Sequence, residues 1–568
     1  MKYKHSSILT VAYGKQPDGG IALGSLDLLD PQRKLEITAI TAKAAEGMGE
    51  AEKETWSSLP HASFDLVIMN PPFTRPTGHE GKKIGVPNPM FAAFSSSAEE
   101  QRLMGKATKR LTDGTSAHGN AGEASIFLVL ADRKLKSGGT LALVMPLSLM
   151  AGDAWEDSRA LLIENYADMI LVSIAGADGD LSFSADTGMG ECLVVARKSD
   201  QGSKRATFVI LSERPKLPML GAGVANQILT LIAGKKLRRL EDGPVGASPI
   251  HFGDDVIGYA LDAPLATTGG WNLSRVDDLS LAQAAYQITE NTRIWLPGMN
   301  PSKKIKIPIT RVGKIADIGP YHADINGRTS TGGLRGPFDV SLVKPGSAPT
   351  YPVLWAHAAE REYTLSFDGD SEGQPRTSTD PEEQVLILSK IANIVESASH
   401  AHFNVNFRFN SQATSMQFTP RPTIGGRAWL SLKLPKEKQE KALVLWANTS
   451  VGMLLHWWHA NKQQDGRGNI GKSALEGMPV LDVTQLTPAQ IIAAEKLFKQ
   501  MHNRKFLPLH EIDKDSVRAD LDAKFFTDVL GLPKSLSSKG GPLELLRMKL
   551  AREPSIRGHK SVTVEETE

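Results

Sequence analysis

The stretch FDLVIMNPPFTRP, residues 64–76, decides how the chain is read. Five of its first six residues are apolar, as a buried strand requires, and the run stops on Asn70, two prolines and Phe73. The side-chain oxygen of Asn70 and the carbonyl of Pro71 place two acceptors together at a strand end. Proline fixes its own φ and restrains the residue before it, so such a corner loses little entropy on being held in place. Two converging acceptors match a planar NH₂ on an aromatic or carbonyl carbon. Such an amine is a poor nucleophile because its lone pair is delocalised. Hydrogen bonds from both N–H groups to Asn70 Oδ1 and the Pro71 carbonyl favour a pyramidal nitrogen, and Phe73 supplies a ring for the amine's own ring to stack on. The plain alternative is a turn that merely ends a strand.

Working outward, residues 7–30 predict two short strands around the turn KQPDGG (15–20), ending in GSLDLLD. A polar stretch over 39–55 predicts a helix. The Gly- and Pro-containing segment 74–122 predicts a mobile loop over a site. GEASIFLVLADRKLKSGG (122–139) spaces Ile126, Phe127, Leu130 and Leu135 for a helix and stops on two glycines. TLALVMP then predicts a buried strand closed by Pro146, AWEDSRALLIENY (154–166) a helix, and ADMILVSIA and ECLVVARK (191–198) two more strands. Strands alternating with helices imply a mostly parallel sheet, in which ligands sit at the strands' carboxyl ends, where Asn70 and Pro146 fall.

In this order the motif resembles the Asn-Pro-Pro-Phe/Tyr signature of S-adenosylmethionine-dependent methyltransferases that modify the exocyclic N6 amine of adenine in DNA. GSLDLLD resembles the segment that meets the cofactor's adenine, LKSGGTLALVMP a later strand motif, and LSFSADTGMGECLVVARK a hairpin supplying an aromatic wall. The resemblance spans roughly residues 7–200. It implies that Asn70 and Pro71, stiffened by Pro72, hold the amine, that Phe73 and Phe183 sandwich a flipped base, and that Ser25 or Asp27, with Asn70, borders S-adenosyl-L-methionine. Enzymes that methylate a protein glutamine amide share the motif but are short chains, and the large additional region here favours nucleic acid. The family's glycine-rich loop, roughly Asp-Pro-x-x-Gly-x-Gly, has no match in the 69 residues before Asn70. The expectation is therefore a chain that binds S-adenosylmethionine weakly alone, with a partner subunit or an N-terminal segment supplying that loop. A non-catalytic or split DNA-specificity subunit is the alternative.

At 568 residues the chain is long enough for more than one domain. A formal net charge of +2 excludes a globally polybasic binder, and Cys192, the single cysteine, excludes an intramolecular disulfide and a multi-cysteine zinc site. No metal site is expected; His400 and His402 lack a cysteine or carboxylate cluster. The opening MKYKHSSILTVAYG holds no signal-length apolar run, and GGTLALVMPLSLM (138–150) falls short of the roughly 20 residues that span a bilayer. A cytoplasmic protein without a membrane partner is expected.

The second half predicts a reader of double-stranded DNA. In HAHFNVNFRFNSQ (400–412), Phe403, Val405, Phe407 and Phe409 alternate with Asn404, Asn406, Arg408 and Asn410. Amides suit adenine edges and guanidinium suits guanine, whereas an edge strand with a solvated polar face would show the same alternation. Residues 401–480 carry ten basic and four acidic side chains, a local surplus of six. TIGGRAWLSLKL (423–434) and NKQQDGRGNIGKSALEGMPV (461–480) are Gly-rich and cationic, and the latter resembles the end of target-recognition regions in restriction-modification enzymes. Arg421, Arg427, Lys433, Arg467 and Lys472 are the candidate phosphate and base contacts. Trp446, Trp457 and Trp458 belong to an apolar helical run and are expected in the core. The fold class is thus α/β: a partial Rossmann-like methyltransferase sheet over 1–200, lacking its first cofactor-binding strands, a connecting region 201–290, an α+β target-recognition region 291–480 and a helical C-terminus 481–568.

Overall fold

The computed structural model describes residues 13–15, 21–30, 35–39, 52–56, 60–73, 98–176, 181–184, 190–242, 247–266, 270–328, 335–344, 346–356 and 362–560. The expected turn at 15–20, most of the loop expected over 74–122 (its residues 74–97), most of the helix expected over 39–55, and part of the aromatic hairpin (185–189) lie outside these residues. The chain divides into two compact units. The first is Met1–Ser173, Ser182–Val209 and Asp262–Thr268; the second is Ile174–Leu181, Ile210–Leu261 and Gly269–Glu568.

In the first unit, β1 (Phe64–Met69), α1 (Ala98–Leu111), α2 (Glu123–Lys134), β2 (Leu135–Pro146), α3 (Glu156–Asn165), β3 (Tyr166–Ile174), β4 (Glu191–Lys198) and β5 (Arg205–Leu211) follow in order. The strands stand side by side as β5-β3-β4-β2-β1. β1 and β2 are parallel, but β4 lies antiparallel between β2 and β3, so the sheet is mixed rather than mostly parallel. Along β2, buried Leu141, Leu143 and Met145 alternate with half-buried Ala142 and Val144, because both faces are covered. Helix α2 is buried for nearly its whole length, and Ile126, Phe127 and Leu130 pack with Met104 of α1 and with Leu23, Leu26 and Leu29.

Three expectations are corrected. Glu52–Trp56 is a strand, paired with Leu35–Ala39, where a helix was expected. Ala98–Leu111 is helix rather than loop: Met104 and Thr108, four residues apart on one face, are both buried. β1 is a strand as expected but is not buried. Among the described residues it lies at the sheet's edge, and Phe64, Leu66 and Ile68 are 37%, 51% and 71% exposed. The short strands Tyr13–Lys15 and Ile21–Leu23 do pair.

The second unit holds β6 (Asp317–Ile318), β7 (Phe338–Leu342), β8 (Pro352–Leu354), β9 (Ser371–Pro375), α4 (Pro381–Glu396), β10 (Ser399–Asn404), β11 (Asn406–Arg408), β12 (Met416–Gly425), β13 (Trp429–Lys433), α5 (Glu437–Asn448), α6 (Ser450–His459), β14 (Asn461–Lys462), β15 (Arg467–Asn469), α7 (Pro488–Met501), α8 (Ser516–Lys524) and α9 (Pro542–Arg552). One sheet runs β6-β13-β10-β12-β8-β9-β7, with only β8 and β12 parallel. A small sheet runs β11-β15-β14. The mixed character expected of 291–480 and the helices expected after 481 are both present.

The alternation in 403–409 does its expected work on one face. Phe403, Val405, Phe407 and Phe409 are buried, and the three phenyl rings surround the His456 imidazole with centroids at 4.7, 4.9 and 5.7 Å. Trp446, Trp457 and Trp458 are buried, as expected of a core helix pair. Arg518, fully buried, donates to the carbonyls of Asn448 and Ala413 and lies against Asp515, tying α8 to α5 and to the loop before β12.

Burial pushes the imidazoles of His402 and His456 down to about 3. The unfolded chain takes up these protons below about pH 6.5 and the folded one does not, so acid favours unfolding. Stability should fall by about 2 kcal/mol per imidazole between pH 7 and pH 5. Denaturant unfolding at the two pH values measures this, and the His456→Asn variant should show a smaller drop.

Candidate functional site

Asn70 directly follows β1 and is exposed, while Pro71 is buried and Pro72 and Phe73 are half-buried. The Asn70 side chain is oriented by a turn that arrives from far along the sequence. Its Nδ2 donates to Ser184 Oγ at 3.3 Å. Ser184 and the half-buried Phe183 are in turn fixed by Glu191, whose Oε2 accepts both their backbone N–H groups at 2.8 and 2.7 Å. Glu191 is 1% exposed and opens β4 opposite Pro146. With the NH₂ of Asn70 committed to Ser184, its Oδ1 has no partner among the described residues. A carboxamide held by its nitrogen presents an acceptor, and Pro71 beside it carries the second carbonyl. The arrangement can accept two hydrogen bonds from one planar amine, with Phe73 and Phe183 both nearby in sequence to the two anchors.

The cofactor candidates behave differently. Ser25 is half-buried in the 3₁₀ turn Gly24–Leu29. Asp27 is 2% exposed, and its Oδ2 accepts the Leu23 N–H at 2.9 Å. The expectation that Asp27 meets a nucleoside is corrected: its carboxylate stabilises its own turn.

Of the DNA-contact candidates, Asn404 and Asn410 are corrected. Asn404 is fully buried and its Oδ1 accepts the Asn406 N–H; Asn410 is 6% exposed and donates to Asp465 Oδ1 and the Arg557 carbonyl. Two further cations are tied locally. Lys472 Nζ donates to the carbonyls of Ile318 and Gly319, and Lys433 Nζ to that of Glu396. Arg421 is exposed in the middle of β12.

The remaining four come together. Asn406 and Arg408 on β11, Arg467 on β15 and Arg427 in the turn before β13 line one cavity of about 600 Å³. Among the described residues the three guanidinium groups have no hydrogen-bond or ion-pair partner. Arg427 stands at φ +50°, a left-handed conformation that a non-glycine residue adopts only when its surroundings impose it. The preceding Gly426 is closely packed: a Cβ there would meet the Trp355 ring at 2.5 Å. Gly468, between the two cleft-lining residues of β15, lies so close to Phe409 that a Cβ would meet its ring at 2.5 Å. Sequence reasoning missed Asn469, Gln412, Gln463 and Glu362, which also line the cavity. Asn469 could have been found from its two-residue spacing from Arg467; Glu362 carries no local signal.

No family model and no curated relative matches the chain. Among solved structures it is similar to the type IIG restriction endonuclease BpuSI, at 11% identity and TM-score 0.30, over 77% of this chain and 49% of that one. The chain spans about half the length of that endonuclease. It is also similar to a modification subunit of a putative type I restriction enzyme from Vibrio vulnificus YJ016 (14% identity, TM-score 0.20, 31% and 32% of the two chains) and to DrdV in a DNA complex (16%, 0.19, 26% and 14%). No described helix is long and apolar enough to cross a membrane, and the described residues include no group of three or more metal-binding side chains.

Replacing Glu191 with Ala strands two backbone donors, a loss of about 1–3 kcal/mol in denaturant unfolding, whereas Ser184→Ala should leave stability within about 0.5 kcal/mol.

Proposed function

We propose that the chain is the base-holding and sequence-reading part of an S-adenosylmethionine-dependent DNA methyltransferase acting on the exocyclic amine of adenine, in a restriction-modification or phage-defence setting. One observation carries this reading: Asn70 is exposed at a strand end, with its NH₂ held by Ser184 and its Oδ1 left to accept beside the Pro71 carbonyl. A strand-ending turn has no need of a carboxamide so oriented. In this reading Asn70 Oδ1 and the Pro71 carbonyl receive the two N–H groups of a flipped adenine. Phe73 and Phe183 cover its faces, and the rigid corner fixes the amine's direction, so that positioning rather than a strong base provides the acceleration. The cationic surface of 401–480 would grip the DNA. The methyl group would come from S-adenosylmethionine.

No Asp-Pro-x-x-Gly-x-Gly loop stands in the 69 residues before Asn70, and this favours a second reading beside the first: a DNA-specificity subunit whose partner binds the cofactor.

Mapping of modified bases in cells carrying the gene tests the first reading. Asn70→Ala should lower adenine methylation about 100-fold or more while DNA binding by the purified chain stays near wild type. Undiminished methylation in that variant would remove the role assigned to Asn70. Calorimetry of the chain alone with S-adenosylmethionine should show weak binding or none; a micromolar dissociation constant would refute the second reading.

A further inference from the structure

The cavity between β11, β15 and the Arg427 turn holds more chemistry than a phosphate grip. Its volume, about 600 Å³, is far larger than one phosphate and falls in the range of pockets that enclose small organic ligands. Arg408, Arg427 and Arg467 bring to its walls three cations without a partner among the described residues. The acid in the lining, Glu362, is buried and receives the amide N–H of Gln412, while the Oε1 of Gln412 accepts the Arg408 backbone N–H. That carboxylate is therefore occupied within the wall.

Beside the arginines lies a pair of amides. Asn469 Nδ2 donates to Asn406 Oδ1 at 2.5 Å and to the Val405 carbonyl at 3.2 Å. This contact fixes both side chains and leaves Asn406 Nδ2 as donor and Asn469 Oδ1 as acceptor on neighbouring groups. A donor and an acceptor held side by side complement the edge of a nucleobase. Arginines complement the phosphate to which that base is joined. Bases stacked in a duplex offer only their groove edges, so a cavity that takes phosphate and base together requires a nucleotide drawn out of the stack.

We infer that this cavity binds a single unpaired nucleotide, its phosphate on the three arginines and its base edge on the Asn406–Asn469 pair. Within the function proposed above, which this inference deepens, the nucleotide belongs to a DNA strand opened near the target base.

Fluorescence anisotropy of the full chain with a labelled single-stranded oligonucleotide tests the inference. The probes are that oligonucleotide, a duplex of the same length and free deoxyadenosine monophosphate as competitor. The variant R408Q/R467Q should weaken single-strand binding tenfold or more and flatten its salt dependence. N406A should reduce differences among homopolymer probes. Displacement of the oligonucleotide by the free mononucleotide would support the pocket, and displacement at equal concentration would name the free nucleotide as its occupant. Unchanged binding in R408Q/R427Q/R467Q overturns the inference. So does an equal loss in R421Q, which lies outside the cavity, or a duplex bound as tightly as the single strand and equally sensitive to the variants. Circular dichroism confirms that each variant is folded. The methylation reading is judged by base mapping with Asn70→Ala and this inference by oligonucleotide binding with the arginine variants, so failure of the one and failure of the other give different results.

Discussion

Each candidate surface rests on a buried carboxylate that holds donors from a neighbouring segment. In the first unit Glu191 accepts two backbone N–H groups and so fixes the turn whose Ser184 hydroxyl orients Asn70. In the second, Glu362 takes the Gln412 amide, and that amide's oxygen holds the backbone of Arg408. A charge removed from water is tolerated only when its lone pairs are satisfied. The same requirement that keeps these acids bonded also holds the exposed side chains beyond them in one orientation. Rigidity is thus delivered from beneath, while the outward-facing groups, Asn70 Oδ1 and the three guanidiniums, have no partner among the described residues.

The sequence was most informative where one local pattern sufficed. The strand 191–198 and the apolar face of 403–409 are set by short-range periodicity and form as expected; the helix expected over 122–139 forms at 123–134 but ends before the two glycines, with Leu135 opening β2 instead. The polar face of 403–409 shows where periodicity stops being enough. Asn406 and Arg408 are exposed, but Asn404 and Asn410, at the same spacing, are buried. Asn410 is drawn inward by Asp465 and the Arg557 carbonyl, partners 55 and 147 residues away, which no window on the sequence contains.

The other departures have similar causes. Leu66 and Ile68 look like core residues, but whether a strand is central or at an edge depends on what pairs with its far side, and composition does not encode that. EKETW (52–56) is charged enough to suggest a helix, yet pairs with residues 35–39 as a strand; cross-strand context overrides propensity in short segments. At the Asn70 corner the reverse holds. The motif itself was legible, but the hydroxyl that orients it lies 114 residues on, beyond any strand-to-strand spacing.

The outer margin of β1 carries one further implication. Its only charge, Asp65, is already paired with Lys136 of the adjoining strand, and the side chains that alternate with it are large and oily. Native sheets usually deter self-adhesion with free charge or proline along such a rim. Here the single ion pair is exposed to solvent and weakened by salt, so concentrated, high-salt preparations of this chain would be drawn toward rim-to-rim clumping.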